Sequence, residues 1–148
     1  MVRAAPWIPL ALGVLLSAGC GDDDGDGTID AALGPDASPA APNIQIASLS
    51  PTTVAPGQKV MVTVTVANFT LNPMIGAPNV AGEGHYHIFL DGTGATDIYE
   101  PETAAMGDLT IPMATTAGAH TIIVSLRQNM HAPLSPPAED SLMITVMP

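Results

Sequence analysis

The chain has 148 residues, of which 3 are Lys or Arg and 14 are Asp or Glu, so its formal net charge at pH 7 is −11. A protein that binds nucleic acid needs a basic patch for the phosphates, and this charge balance excludes such a partner. Aromatic residues make up only 3% of the sequence, which argues against a stacking surface for sugars or bases. The core therefore has to be built from Val, Ile, Leu and Met.

Residues 1–19 have the pattern of an export signal. Arg3 precedes an apolar stretch over residues 8–16, which is shorter than the roughly 20 apolar residues of a membrane-spanning helix. The stretch ends in Ser17-Ala18-Gly19-Cys20, which resembles the lipobox of bacterial lipoproteins. The resemblance implies cleavage before Cys20, a lipid on its thiol, and attachment to a bacterial membrane on the periplasmic side or at the cell surface. An uncleaved anchor and a secretory signal with a free thiol are the alternatives.

Residues 20–42 are predicted to form a disordered acidic tether. Six aspartates lie there among Gly, Ala, Pro and Ser, a composition that buries too little apolar surface to order itself. Asp22, Asp24 and Asp26 resemble positions one, three and five of an EF-hand calcium loop, although Leu33 stands at position twelve, where a bidentate Glu is usual. The segment is either a weak calcium loop or an acidic spacer that meets the pattern through its low complexity.

Residues 43–148 have the length of one immunoglobulin-like sandwich. The clearest strand covers residues 59–67, where four valines alternate with other residues, and residues 141–147 repeat this period of two. No segment shows a sustained helical period, so at most residues 102–106 form a helical turn. The further predicted strands are residues 44–49, 85–90 and 120–127 and two weaker segments, residues 95–99 and 109–112.

Two stretches of this part resemble bacterial immunoglobulin-like repeats. Residues 50–58, with Ser50-Pro51 and Pro56-Gly57, look like the opening of such repeats, and residues 117–122 look like their penultimate strand. The resemblance implies an all-β fold, a single immunoglobulin-like antiparallel β-sandwich over residues 43–148. It implies almost nothing about activity.

All four histidines lie in this part of the chain. In residues 85–90 the bulky apolar side chains alternate with His85 and His87, which puts the two imidazoles together on the face opposite the core. If this strand pairs antiparallel with residues 120–127, as in a sandwich, His131 falls beside them. His120 begins the second strand, roughly 23 Å from its end at about 3.3 Å per residue, and is expected to bond nearby backbone instead.

A cluster of His85, His87 and His131 would suit zinc, and the addition of Met130 or Met74 would suit copper. The alternative is that these are surface histidines without a ligand. Gly84-His85-Tyr86-His87 followed by Met130-His131 is also similar to small histidine-containing domains of uncharacterised periplasmic proteins, which implies a shared site without identifying its ligand.

Glu83 is a candidate general base, an acceptor for an imidazole N–H, or a solvated loop carboxylate. No Gly-x-Ser-x-Gly elbow or glycine-rich phosphate loop is present, and Cys20 is assigned to the lipid. The sequence thus predicts a lipid-anchored, non-catalytic binding or structural module. The sharper version of this prediction is a module that binds copper or zinc through His85, His87 and His131. The competing prediction is a metal-free domain that contacts another envelope protein through its loops or edge strands.

Overall fold

A computed structural model describes residues 39–148, and the predictions for Cys20, Asp22, Asp24 and Asp26 lie outside these residues. The described part of the chain contains strands and no helix, and hence no helix that could cross a membrane. Its nine strands are β1 (Asn43–Ser50), β2 (Thr53–Val54), β3 (Lys59–Ala67), β4 (Thr70–Leu71), β5 (Glu83–Leu90), β6 (Tyr99–Glu102), β7 (Met106–Thr110), β8 (Gly118–Arg127) and β9 (Glu139–Val146).

The first sheet contains three antiparallel strands in the order β1-β3-β7. Strand β3 coincides with the predicted valine strand, and Val60, Val62 and Val64 are buried because alternate residues of a strand face the same side. Strand β1 buries Ile44 and Ile46 in the same way, and its register against β3 shifts just after Ile46.

The second sheet has the order β2-β9-β8-β5, and both β4 and β6 pair with the remaining edge of β5. Strand β8 runs antiparallel to β5 and to β9, whereas the two-residue strands β2 and β4 make short parallel pairings. Strand β5 therefore lies inside the sheet, with backbone partners on both sides.

Buried side chains from both sheets form one hydrophobic core. Val60 and Leu109 come from the first sheet, and Ile88, Val124 and Ile144 come from the second. The removal of these aliphatic groups from water is the main force that holds the two sheets together. The predicted all-β fold with an aliphatic core is confirmed.

The predictions between β5 and β8 are wrong in detail. Strand β6 begins at Tyr99 instead of covering residues 95–99, and β7 covers Met106–Thr110 instead of residues 109–112. No helical turn forms over residues 102–106, where the backbone bends and the Ala105 carbonyl accepts a hydrogen bond of 2.8 Å from the Val64 N–H. These strands carry no apolar alternation, and their extent is set by backbone pairing with β5 and β3.

Candidate functional site

Strand β5 presents His85 and His87 on the face opposite the core. The apolar side chains of Tyr86 and Ile88 point into the core, which confirms the predicted alternation. The two imidazoles are nevertheless buried, with exposed fractions of 0% for His85 and 3% for His87. The rings of His131 and Tyr99 lie against them on this face of the sheet. His85 and His87 are therefore not the surface histidines of the competing interpretation.

Strand β8 brings the third histidine to the same place. His85 lies opposite Arg127 and His87 opposite Ser125 in the antiparallel register, so the chain leaves β8 beside the two imidazoles. A tight turn follows, in which the His131 N–H donates to the Gln128 carbonyl over 2.9 Å. His131 adopts a φ of 65°, a left-handed conformation that is uncommon for residues other than glycine.

Two asparagines hold this turn against the loop that precedes β5. The Met130 N–H donates to Asn79 Oδ1 over 3.0 Å, and Asn79 Nδ2 donates to Gln128 Oε1 over 2.7 Å. Asn129, which is 1% exposed, donates from Nδ2 to the Pro78 carbonyl over 3.1 Å. The position of His131 therefore depends on side chains from a segment about 50 residues earlier in the chain.

Three ring nitrogens meet at this point. Nε2 of His87 lies 3.0 Å from Nε2 of His85 and 3.0 Å from Nδ1 of His131, and the remaining pair is 3.3 Å apart. The predicted convergence of His85, His87 and His131 is thus present in the structure. The three residues form the histidine cluster.

The histidine cluster cannot satisfy itself by hydrogen bonding. Each nitrogen of a neutral imidazole is either a donor or an acceptor, so among three mutually adjacent nitrogens at least two must be alike and repel each other. Burial lowers the pKa of His85 to about 4, and the pKa of His87 falls to about 3 mainly through burial and then through His85. Both rings are consequently neutral at pH 7, and together the three nitrogens can hold a metal ion.

The histidine cluster opens into a cleft of about 380 Å³. The ring of Tyr99 stacks on His87 with centroids 4.2 Å apart and planes inclined by 6°. Strand β6 fixes Tyr99 there because its register places this residue opposite Phe89. The cleft is lined by His87, Phe89, Thr93, Gly94, Ala95, Tyr99, Arg127, His131 and Pro133.

The other residues proposed for this site from the sequence do not join the histidine cluster. Met74 and Met130 are 59% and 63% exposed, and neither side chain lines the cleft. Glu83 accepts a hydrogen bond of 2.8 Å from Asn72 Nδ2 instead of binding an imidazole. Within residues 39–148, Nδ1 of His85 is buried without a hydrogen-bond partner.

His120 lies in a separate environment, as its distance along β8 predicts. Its Nδ1 is 2.7 Å from Asp91 Oδ2, and its Nε2 is 2.8 Å from the carbonyl oxygen of Thr116. The hydrogen bond to Asp91 raises the pKa of His120. The expectation that this histidine bonds nearby backbone is confirmed.

Sequence reasoning missed Arg127 and Tyr99 as members of the site. Arg127 is one of two basic residues in the described part of the chain, and only the strand register shows that it lies opposite His85 at the site.

No protein-family model matches the chain, and no curated protein matches it. The chemistry of the site is therefore argued from its own side chains.

Proposed function

We propose that this protein binds one zinc or copper(II) ion through His85, His87 and His131. The observation that carries the proposal is the mutual spacing of the three nitrogens, 3.0 to 3.3 Å. Metal–nitrogen bonds of about 2.0–2.1 Å at tetrahedral angles put the ligand nitrogens about 3.3 Å apart. Each nitrogen thus needs to move by only a few tenths of an ångström to bind the ion, on the order of thermal motion.

A cation also removes the conflict inside the histidine cluster. All three nitrogens can face it with lone pairs if the ring protons of His85 and His87 lie on Nδ1 and that of His131 lies on Nε2. No tautomer achieves an equivalent result without a cation. The low pKa values of His85 and His87 support this role, since protons do not compete for their lone pairs at neutral pH.

The donor set favours zinc or copper(II). Three imidazoles suit both ions, whereas copper(I) is selected by thioether and thiolate ligands, and Met74 and Met130 lie outside the cleft. Three protein ligands leave a fourth position free, which is the arrangement of catalytic metal sites. Within residues 39–148 no Asp, Glu or Lys side chain lines the cleft, and we propose that this position binds a ligand.

We infer that the site is carried by an immunoglobulin-like sandwich on a lipid anchor in a bacterial envelope. The strand orders β1-β3-β7 and β9-β8-β5 correspond to strands A-B-E and G-F-C of such domains. The signal pattern that ends at Cys20 supports the anchor. Membrane fractionation tests this part, because a Cys20→Ser variant is expected in the soluble fraction, and wild-type protein found there would contradict it.

Metal analysis of protein purified without a histidine tag tests the metal site. After equilibration with zinc or with copper and gel filtration, we expect one ion per chain in the wild type and less than a tenth of this in a His87→Ala variant. A His120→Ala variant is the matched control and should retain the full amount, since it removes an imidazole outside the histidine cluster. A wild type that carries no metal refutes the proposal and favours a metal-free domain for contact with another envelope protein.

A further inference from the structure

Arg127 carries a buried charge into the cleft without a carboxylate in direct contact with it. It is 6% exposed, and its Nε has no hydrogen-bond partner. Within residues 39–148, no carboxylate oxygen lies within 4.0 Å of its guanidinium nitrogens. Its Cζ lies over the ring of Phe89, 5.0 Å from the ring centroid. A buried charge is costly unless it is paired, so an anion in the cleft would stabilise this guanidinium.

The acidic residues of this region are engaged elsewhere. Glu139 accepts a hydrogen bond of 2.8 Å from the Ser125 hydroxyl, and Glu83 accepts one of 2.8 Å from Asn72. Burial of the guanidinium lowers the pKa of Arg127, and the charge of Glu139 raises this pKa by less. Neither carboxylate lines the cleft. The cleft is therefore locally cationic in a chain whose net charge is −11, and a divalent metal on neutral imidazoles would add two further positive charges.

We propose that the cleft binds a small organic carboxylate, held by Arg127 and by the free position of the metal. This inference rests on the proposed function, because the metal supplies the second contact. The guanidinium fork matches the two oxygens of a carboxylate, and Arg binds this group better than Lys for that reason.

The lining of the cleft supports an organic anion over an inorganic one. Ala95 and Pro133, which are both exposed, offer apolar surface for a hydrocarbon group, and the Tyr99 ring adds a flat wall. The volume of about 380 Å³ falls at the lower end of the range of roughly 300–1,000 Å³ for small-molecule sites. A hydrated ion such as sulfate gains nothing from this apolar surface.

Calorimetric titration with benzoate, and with sulfate in parallel, tests the inference on zinc-loaded and on metal-free protein. We expect the affinity of the zinc-loaded wild type for benzoate to be at least about tenfold higher than that of the zinc-loaded Arg127→Gln variant. A loss of this size is the typical effect of removing a charge-assisted hydrogen bond. Arg127→Lys should lose part of the affinity because it keeps the charge without the fork. Lys59→Gln is the control, since Lys59 is exposed, paired with Asp108 and the only other basic residue of the described part.

The outcomes separate this inference from the metal proposal, because zinc content is measured on the same samples. Equal benzoate affinity in the wild type and in Arg127→Gln, with zinc retained, refutes the carboxylate site and leaves the metal site intact. Benzoate binding that depends on Arg127 in a protein that retains no zinc supports the contact with Arg127 and refutes zinc as the second contact. If sulfate binds as tightly as benzoate, the proposal that the ligand is an organic carboxylate is refuted. If Arg127→Gln does not fold, the partial loss in Arg127→Lys carries the comparison.

Discussion

Replacement of His131 by Asn separates a metal ligand from a structural histidine. His131 is exposed and has a φ of 65°, a conformation that Asn adopts more readily than most residues, so the substitution leaves the turn unstrained. The shorter side chain removes one of the three converging nitrogens. His85 and His87, which are buried in β5, stay in place.

The expected effect on zinc-dependent stability is large. Zinc at a concentration 100 times its dissociation constant stabilises the native state by about 2.7 kcal/mol. In a domain of about 110 residues, this raises the melting temperature by roughly 10 °C or more. If the loss of one ligand weakens binding by about 100-fold, the same zinc concentration stabilises the variant by only about 0.4 kcal/mol. The increase in melting temperature then falls to about 2 °C.

In the metal-free protein, the His131→Asn substitution should not lower the melting temperature. Because at least two of the three nitrogens are alike in any tautomeric state, the wild type carries a repulsive contact at 3.0 to 3.3 Å. His131→Asn removes two of the three contacts and leaves His85 and His87 free to share one proton. We therefore expect the variant to melt at the same temperature as the wild type or slightly higher in EDTA.

Thermal unfolding followed by circular dichroism, in EDTA and in zinc, measures both effects. His120→Asn is the matched control, because it is the same substitution at a histidine that lies with Asp91 and Thr116. It should keep the full zinc effect while it loses some stability in EDTA. An increase in melting temperature with zinc that is equal in the wild type and in His131→Asn would refute the three-histidine site.

Three further predictions concern the strands that carry the site. A Cβ at Gly84 would overlap the carbonyl oxygen of Arg127, so Gly84→Ala should force β5 from β8, lower the unfolding free energy by about 1–3 kcal/mol in urea, and weaken zinc binding. In EDTA the free energy of unfolding should be highest above about pH 6.5 and should decrease as the pH drops toward 4. The reason is that the pKa values of His85 and His87 are lowered in the folded state, so the unfolded chain binds more protons. Each buried histidine should contribute a decrease of up to about 1.4 kcal/mol per pH unit. His120→Gln should cost about 0.5–1 kcal/mol at pH 6 and less at pH 9, since the pKa of His120 is raised and its charge is lost as the pH increases.

Urea unfolding curves decide all three. Gly84→Ser offers a second variant at the close approach and should be at least as destabilised as Gly84→Ala. A metal-free protein whose stability is constant between pH 7 and pH 5 would contradict the buried, neutral state of the two histidines. A cost of His120→Gln that grows from pH 6 to pH 9 would contradict the ion pair with Asp91.

The strands with one buried face could be predicted from the sequence. In β3 the alternation of valines with other residues reflects a strand that packs on the core along one side, so its bounds were predicted without error. Alternation in β5 also placed His85 and His87 on one face correctly, because the apolar partners between them enter the core. The antiparallel pairing of β5 with β8 was enough to predict that His131 lies near them, whereas its final position also depends on Asn79 and Asn129.

Features that depend on strand register and on loop conformation could not be predicted from the sequence. The pairing of β6 with β5 brings Tyr99 onto His87, and no local pattern in β6 encodes this contact. The burial of Arg127 follows from groups that come together only in the folded chain, and the exposed positions of Met74 and Met130 depend on loop paths. Such features are decided by tertiary contacts that outweigh local propensity.

The outer face of the second sheet departs from the rule that buried polar groups are satisfied. Four buried side-chain atoms lack a partner in the described part of the chain, and three of them belong to His85, Arg127 and Asn129. These residues lie at the start of β5, at the end of β8 and in the turn that holds His131. A fold selected for stability alone would fill these positions with apolar side chains, because a half-satisfied polar cluster is worse than an apolar one. Nδ1 of His85 stays unpaired when a metal ion binds Nε2 of the same ring. The three converging nitrogens, which no tautomer reconciles, and the guanidinium of Arg127 are the groups that a metal ion and an anion in the cleft would complete.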